Sequence, residues 1–369
     1  MDNNLIAKKR YIVLDSFRGL LAFIVAIYHY KSAGPISDFL LIQKGHHFVD
    51  FFFVLSGFII YHNYSNLESG SQQLIFMKNR LFRLYPLHII MLFLFLLMEC
   101  MKFLLFNYGL FKSPVFERNN LTSFIVNLFF LQSFNITSIS WNYPSWSISA
   151  EMVAYLVFCL LAVHIKNINN YYRVPAFLLI STLSLILVRI ITGSFDIEIT
   201  SNFSMFRCMF GFYLGCAVYE LHKKINILNF KPIGYTLVET IALSISLLST
   251  MYLAEDYNFL LPVIYSLTIF IFALEKGIFS NFLSHNLFIT VGKYSYSIYM
   301  THAAIAIVFE IIVKIMNIKS PIMLSLILVI YIFVIFGFSS VTYKYVEVKF
   351  RSFLQTRSAT KKLNHKFVQ

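Results

Sequence analysis

An arginine and a histidine interrupt the first apolar stretch of the chain, at a spacing that places them on one face of a helix. Residues 14–31 read LDSFRGLLAFIVAIYHYK, with Arg18 and His29 eleven positions apart. Eleven residues make about three helical turns, so the two side chains project from one face about 16 Å apart. A histidine can act as a general base, and an arginine can hold an anionic group. Asp15, one turn before Arg18, is positioned to pair with it and orient it.

The stretch that carries these residues is long and apolar enough to cross a bilayer, which takes about 20 residues. Ionisable groups inside such a span are costly and usually functional. The alternative is a helix end, where an arginine extends toward the lipid headgroups and a histidine lies at the interface. That alternative accounts for Arg18 taken singly, but it accounts less well for three polar groups on one stripe.

The composition indicates a membrane protein. Of the 369 residues, 58% are hydrophobic and 13% are charged, and the mean hydropathy is +0.71. This balance is typical of a polytopic membrane protein and not of a soluble one. The net charge of +13 comes from basic residues in short loops and near the C-terminus. Cytoplasmic Lys and Arg produce that distribution, so we expect a lipid bilayer and no nucleic acid as the partner.

Ten apolar stretches are candidates for membrane spans. They lie at residues 11–30, 47–63, 84–106, 145–164, 174–193, 203–220, 234–253, 258–274, 295–315 and 322–345. A further run, residues 121–134, is short for a span, and we predict a re-entrant or interfacial segment there. With that segment not crossing and the N-terminus in the cytoplasm, the basic loops and the C-terminal tail all become cytoplasmic. The predicted fold is therefore all-α, with about ten transmembrane helices and both termini cytoplasmic.

No boundary between domains is visible along the chain. There is no internal repeat of regular period and no Pro/Gly-rich linker, so we expect one membrane domain over residues 1–369. Its core is expected at residues 11–351 and a basic cytoplasmic tail at residues 352–369. The four cysteines lie in apolar stretches and no set of histidines has zinc-site spacing. We therefore predict neither a disulfide framework nor a metal site.

Several later segments also place polar residues inside apolar stretches, where burying them costs free energy. Asp50 and Ser56 lie in GHHFVDFFFVLSG, and helix-dipole and packing roles explain them about as well as functional ones. Arg80 and Arg83 in RLFRLYP are one turn apart, which suits either a positive-inside anchor or a phosphate clamp. Glu151 in NYPSWSISAE lies about two turns into its span, where structural ion pairing is the alternative.

Other polar residues lie inside the later spans. His302 is about midway through the ninth span, in SYSIYMTH, where a helix-to-helix hydrogen bond is the commoner explanation for a single case. The predicted topology puts one group of residues in the outer half of the membrane, and the arginines at positions 18, 80 and 83 in the inner half. The outer group is His29, Glu151, Arg189, Arg207 and Glu310.

Taken in order, these segments resemble the integral-membrane acyltransferase family 3, whose members O-acylate sugars and cell-envelope polymers such as O-antigens. The matches are LDSFRGLLAFIVAIYHY with the family's Arg-x10-His spacing, VDFFFVLSGF, RLFRLYP, PSWSISAE and SYSIYMTH. The resemblance runs from residue 14 to residue 351. It departs near the C-terminus, where relatives often have Glu-x-Pro and here Glu347 is followed by Val348 and Lys349.

The resemblance implies a bacterial inner-membrane O-acyltransferase. It implies acyl-CoA, usually acetyl-CoA, as cytoplasmic co-substrate, and a saccharide or lipid-linked saccharide, such as O-antigen or exopolysaccharide, as acceptor. His29 corresponds to the catalytic histidine and Arg18 to its partner on the donor path. We add Glu151 as catalytic, Arg80 and Arg83 as donor-binding, and five supporting residues. The supporting residues are Asp15, Asp50, Ser56, His302 and Arg207.

The main alternative is a polytopic transporter, for example an exporter of lipid-linked sugars, which would also line its path with charges. Against it, the chain shows no paired halves with matching interrupted helices, a common transporter sign. A non-catalytic membrane scaffold would leave the stripe of Arg18 and His29 unexplained. Release of free CoA thiol by the purified protein distinguishes the enzyme from both alternatives.

Overall fold

A computed structural model describes residues 9–68, 70–108, 114–224 and 231–352, and these residues form helices joined by short connections. Residues 1–8 and nearly all of the predicted tail lie outside the described part of the chain. The helices are α1 (Ile12–Tyr28), α2 (Leu40–Gln43), α3 (Phe48–Tyr64), α4 (Ser71–Asn107), α5 (Leu121–Leu128), α6 (Trp146–Asn167), α7 (Asn170–Thr192), α8 (Met205–Lys224), α9 (Pro232–Tyr252), α10 (Leu260–Phe272), α11 (Ile278–Leu283), α12 (Asn286–Ile315) and α13 (Pro321–Thr342).

Each of the ten predicted stretches coincides with one helix, and local sequence signals explain several of the ends. Asn120 accepts a hydrogen bond from the backbone N–H of Ser123 at 2.9 Å and caps α5. A proline opens α9 and α13, where its missing N–H costs nothing. Gly193 ends α7 in the left-handed conformation that glycine adopts without strain.

Six of the described helices are long and apolar enough to cross a bilayer: α4, α6, α7, α9, α12 and α13. Helices α1 and α3 have only 17 residues each, and α10 has 13. The protein is therefore an all-helical, multi-pass membrane protein in its described residues, and the count of ten crossings stays a prediction. Helix α5 has eight residues, or about 12 Å, which is too short to cross.

Glycines bring two pairs of central helices into close contact. A Cβ atom on Gly19 of α1 would lie 2.6 Å from the backbone nitrogen of Gly292 on α12. A Cβ atom on Gly57 of α3 would lie 1.8 Å from the carbonyl oxygen of Phe212 on α8. Small residues let helix backbones approach in this way inside membranes. The first contact aligns α1 with α12, and the second aligns α3 with α8.

Contacts between connections define one end of the bundle, which we call the proximal end because α1 starts there. The ammonium of Lys9 lies 3.1 Å from the carboxylate of Glu275, which follows α10. His62, near the end of α3, contacts the carbonyl oxygen of Lys9 at 2.8 Å and the hydroxyl of Tyr219 at 2.9 Å. The start of α1 and the ends of α3, α8 and α10 therefore meet.

The C-terminal end of α1 lies at the opposite end of the bundle, which we call the distal end. The backbone N–H of Lys31 donates to Glu310 of α12 at 3.0 Å, and Lys44 pairs with Glu255 of the α9–α10 connection at 3.4 Å. The start and the end of α1 thus lie at opposite ends of the bundle, the pattern expected of a helix that traverses it.

Candidate active site

His29 lies where α1 ends and contacts a second histidine. Its Nδ1 is 3.0 Å from the carbonyl oxygen of Val25 and 3.1 Å from Nε2 of His302 on α12. His302 Nδ1 lies 3.2 Å from the carbonyl oxygen of Ile298. A carbonyl only accepts, so a neutral His302 carries its proton on Nδ1 and accepts at Nε2. His29 therefore donates from Nδ1.

This arrangement leaves the Nε2 lone pair of His29 available. No group in the described part of the chain bonds to that nitrogen, and the side chain is only partly buried. A neutral imidazole protonated on Nδ1 can accept a proton at Nε2, as a general base must. The carbonyl oxygen of Val25 and Nε2 of His302 both accept from this Nδ1–H, and together they fix the tautomer and the ring orientation of His29. The hydrogen-bonding explanation for His302 and the supporting role predicted for it are thus compatible.

Aromatic rings surround the histidine pair. Tyr28 and Tyr143 lie 4.8 Å and 5.1 Å from the His29 ring, centre to centre. Tyr143 comes from the connection after α5, within the segment that leads from the short helix into α6. Asn142 fixes this connection by donating to the carbonyl oxygen of Met300 on α12, at 3.0 Å. The segment after α5 therefore completes the surroundings of His29.

Arg18 is held toward the proximal end of α1. Its Nη2 lies 3.1 Å from Asp15, and its Nε donates to the hydroxyl of Ser295 on α12 at 2.8 Å. Asp15 also accepts from Arg10 at 2.7 Å. The predicted contact of Asp15 with Arg18 is therefore present. It neutralises only part of the local positive charge, because two arginines share one carboxylate.

Arg18 opens into a cavity together with Arg80 and Arg83 of α4, and the cavity encloses about 800 Å³, counting the part open to solvent. Arg80 donates to the hydroxyl of Tyr64 at 3.2 Å and stacks over its ring. Arg83 makes no hydrogen bond and no ion pair with any described residue. A guanidinium without a hydrogen-bonded partner, facing a partly enclosed space, has donors available for an anion.

Glu151 lines this same cavity, and its carboxylate accepts hydrogen bonds from the hydroxyls of Ser56 and Tyr155. The predicted separation of Glu151 from the arginines is wrong. The helical path into α6 starts at Tyr143, level with His29, and eight residues of helix lower Glu151 by about 12 Å. That drop brings Glu151 close to the depth of Arg18.

A second chamber continues from this cavity to the proximal end and shares Arg18 and Arg83 with it. Six of its charged lining residues are basic and two are acidic. They are Lys9, Arg10, Arg18, Arg83, Lys293, Arg351, Asp15 and Glu347. Sequence reasoning missed Arg10 and Lys293 as site residues, since each is one basic residue among many near a predicted helix end.

Asp50 and Arg207 lie apart from both chambers, paired with each other. Arg207 donates from Nε and Nη2 to the two carboxylate oxygens of Asp50, at 2.8 and 2.7 Å, and is 2% exposed. Its guanidinium also stacks 5.4 Å above the ring of Trp146. For these residues the structural explanation holds, because the pair joins α3, α8 and the start of α6.

The remaining members of the predicted outer group lie near the distal end. Arg189 stacks 5.6 Å above the ring of Phe195, and Glu310 accepts from the backbone of Lys31. Neither residue lines the two chambers. We give these two residues no part in the site.

Comparison with known proteins agrees with the motifs. Residues 11–344 match the family Acyl_transf_3, described as "Acyltransferase domain". The chain is also 30% identical over 166 residues to "Protein 2 in picA locus" of Rhizobium radiobacter, which covers 41% of this chain and 81% of that protein. No solved structure shows significant similarity. Since the family match spans nearly all of the described chain, the protein belongs to acyltransferase family 3.

Proposed function

We propose that the protein transfers an acyl group, expected to be acetyl, from cytoplasmic acyl-CoA to a hydroxyl of a cell-envelope saccharide. The observation that carries this proposal is the position of a free histidine base at one end of α1 and a cationic cavity at the other. A base activates a hydroxyl, and a cationic cavity binds a phosphorylated donor. Membership of an acyltransferase family supports the same reaction class.

The donor is proposed to enter from the proximal end. The 3′-phosphate and diphosphate of CoA suit the second chamber, with its excess of basic residues. Arg83 and Arg18, shared by both chambers, would hold phosphate oxygens where the chambers join. The pantetheine arm would then extend past Glu151 toward Tyr299, which lines the cavity and lies 5.8 Å from the ring of His302. The span from Arg18 to His29, about 16 Å, is of the order of that arm.

Transfer is proposed to occur beside His29. The acceptor oxygen attacks the thioester carbon while its proton passes to Nε2 of His29, and the C–S bond then breaks to release CoA thiolate. His302 supports this step because, with the carbonyl of Val25, it accepts from the Nδ1–H of His29 and leaves Nε2 as the basic nitrogen. Arg18, Arg80 and Arg83 serve the donor. Glu151, which accepts a hydrogen bond from Ser56, would lie beside the bound donor in the same cavity and act there in catalysis.

The excess of basic residues at the proximal end supports a proposal for the orientation in the membrane. We infer a bacterial inner-membrane enzyme with ten crossings, in which the basic proximal end faces the cytoplasm and both termini are cytoplasmic. His29 then lies near the outer face, so the acceptor would come from that face or from a lipid-linked saccharide. O-antigen and related exopolysaccharides are acceptors of this kind.

Proteoliposomes test the proposal. Acetyl-CoA supplied only at the proximal face should acetylate a saccharide enclosed on the distal side, with one free CoA thiol released per acetyl group. Transfer that requires both substrates on the proximal face would refute the through-membrane version. Movement of a lipid-linked saccharide across the bilayer without any CoA release would refute the enzyme and favour the exporter. Vesicles without protein provide the baseline for both measurements.

Arg83→Ala should raise KM for acetyl-CoA by about 10–100-fold with a smaller change in kcat, because it removes charge-assisted contacts with the nucleotide. Arg83→Lys should recover only part of the loss, since an ammonium cannot form the bidentate contact. Acetyl-pantetheine, which lacks the nucleotide phosphates, should be used equally by the wild type and Arg83→Ala.

The matched control is Arg189→Ala, which removes an arginine at the distal end that stacks on Phe195. It should leave KM for acetyl-CoA unchanged. An unchanged KM for acetyl-CoA in Arg83→Ala would exclude Arg83 as a donor-binding residue. So would a loss of activity with acetyl-pantetheine as large as the loss with acetyl-CoA.

A further inference from the structure

Two histidines and a glutamate converge at the distal end, outside the proposed acyl-transfer site. His46 and His47 form the end of the 3-10 turn that precedes α3, and Glu198 lies in the connection between α7 and α8. The Nε2 atoms of His46 and His47 lie 2.9 Å and 3.3 Å from the same oxygen, Oε1 of Glu198. One atom from each of the three residues lies within 4.8 Å of the others.

The convergence on one point differs from ordinary hydrogen bonding. Two imidazoles compete for Oε1 of Glu198, while no described residue bonds to the other carboxylate oxygen. The two Nε2 atoms and Oε1 of Glu198 lie within 4.8 Å of one another, close enough for one metal ion to bind all three. Zinc bonds of about 2.0–2.1 Å at tetrahedral angles put neighbouring ligand atoms about 3.3 Å apart. The spacings from His46 and His47 to Glu198 are close to that value.

The protonation pattern also permits ligation. Metal binding through Nε2 requires the proton of each imidazole to be on Nδ1. The Nδ1 atoms of His46 and His47 are buried and have no hydrogen-bond partner in the described chain. Nothing there donates a hydrogen bond that would prevent this tautomer. Both rings can therefore present an unprotonated Nε2 toward Glu198.

Two cationic side chains near the cluster have carboxylate partners of their own. Arg207 gives two hydrogen bonds to Asp50, and Lys44 pairs with Glu255 at 3.4 Å. No described lysine or arginine forms an ion pair with Glu198, so its carboxylate is open to a cation. Its side chain is 31% exposed, so an ion can reach the cluster from the distal side.

We propose that His46, His47 and Glu198 bind a divalent transition metal ion, with Zn²⁺ the expected occupant and a water molecule as the fourth ligand. Two imidazoles and one carboxylate form a zinc ligand set that leaves one position open. The ion would join the α1–α3 connection to the α7–α8 connection. Tyr28 lies between this site and the base, 4.9 Å from the His46 ring and 4.8 Å from the His29 ring. The metal would thus stabilise the distal surroundings of His29.

Spacing along the chain does not reveal this site. His46 and Glu198 are separated by 152 positions, and two adjacent histidines do not have the spacing of a known zinc motif. The sequence-based prediction of no metal therefore rested on local spacing alone. The fold supplies the third ligand from another connection.

Metal analysis of the purified full-length protein tests the proposal without any acyl-transfer assay. We expect about one zinc per chain. After chelation, Co²⁺ should bind with the visible absorption bands of a tetrahedral site, and added Zn²⁺ should raise the Tm. Loss of outer-shell partners alone weakens metal sites about 10–100-fold, so His47→Gln and Glu198→Gln should weaken Zn²⁺ binding by about 100-fold or more.

His164→Gln is the control, because His164 is an exposed histidine at the end of α6. It should retain the metal and the zinc-dependent rise in Tm. Protein that purifies without metal and shows no rise in Tm at micromolar Zn²⁺ would overturn the proposal. Glu198→Gln and His47→Gln that bind Zn²⁺ like the wild type would overturn it as well. A third result would also overturn the proposal: variants that lose as much stability without Zn²⁺ as with it. That result would indicate only a His–Glu ion pair.

Discussion

Replacing His29 by alanine should lower acyl transfer by about 10²–10⁴-fold, the contribution typical of a positioned general base. The substitution removes the proton acceptor beside the proposed thioester position. It does not remove buried packing, because the side chain lies at the end of α1 and is only partly buried. The measurement is release of free CoA thiol by the purified protein, with saccharide acceptor present and absent.

Two further measurements make the result specific. The amount of inserted His29→Ala and its elution from size-exclusion chromatography should match the wild type. The substitution removes only the contacts of the His29 ring with Val25 and His302. KM for acetyl-CoA should change little, since Arg18 lies about 16 Å away along α1 and Arg80 and Arg83 line the same cavity as Arg18. His164→Ala, at an exposed position on α6, should keep full activity. Near-normal transfer by His29→Ala would exclude His29 as the base.

Replacing Asp50 by alanine should lower the free energy of unfolding by about 3–5 kcal/mol, because it leaves the Arg207 guanidinium buried without its counter-charge. Arg207 is 2% exposed, so solvent cannot replace the lost carboxylate. The change should also lower activity, since the pair joins α3, which carries Ser56, to α8. Thermal unfolding in detergent measures the loss relative to the wild type.

The double variant Asp50→Leu/Arg207→Met separates a lost interaction from a lost function. Apolar replacement of both partners of a buried pair is often neutral, so stability should return toward the wild-type value. Glu68→Ala, which breaks an exposed pair with Lys166, should cost less than about 1 kcal/mol. A double variant as unstable as Asp50→Ala would contradict the ion-pair explanation. A stable double variant without activity would give the pair a role beyond structure.

The sequence by itself determined the helices and the contacts made within them. Apolar runs that are bounded by caps, prolines and basic residues can form only helices in a bilayer, since every backbone group must bond inside its own segment. Each of the ten predicted stretches therefore coincides with a described helix, and the count of ten crossings stays a prediction. The contact of Asp15 with Arg18 followed for the same reason, because residues three apart in a helix are neighbours.

Only the tertiary structure decided which residues from different helices meet. The contact of His29 with His302 depends on the facing surfaces of α1 and α12, which the close approach at Gly19 and Gly292 sets. Hydropathy reports that a helix is apolar but not which face packs against which partner.

Depth along the bundle was also decided by the fold. Glu151 lines the same cavity as the arginines because the chain enters α6 through a helical turn that starts level with His29. The apolar run does not show how deep in the bundle that turn begins. Glu198 meets His46 because the α7–α8 connection folds against the α1–α3 connection. Such contacts join residues far apart in the chain, and no local pattern encodes them. Here the helices came from local chemistry, and the chemical sites came from how the helices pack.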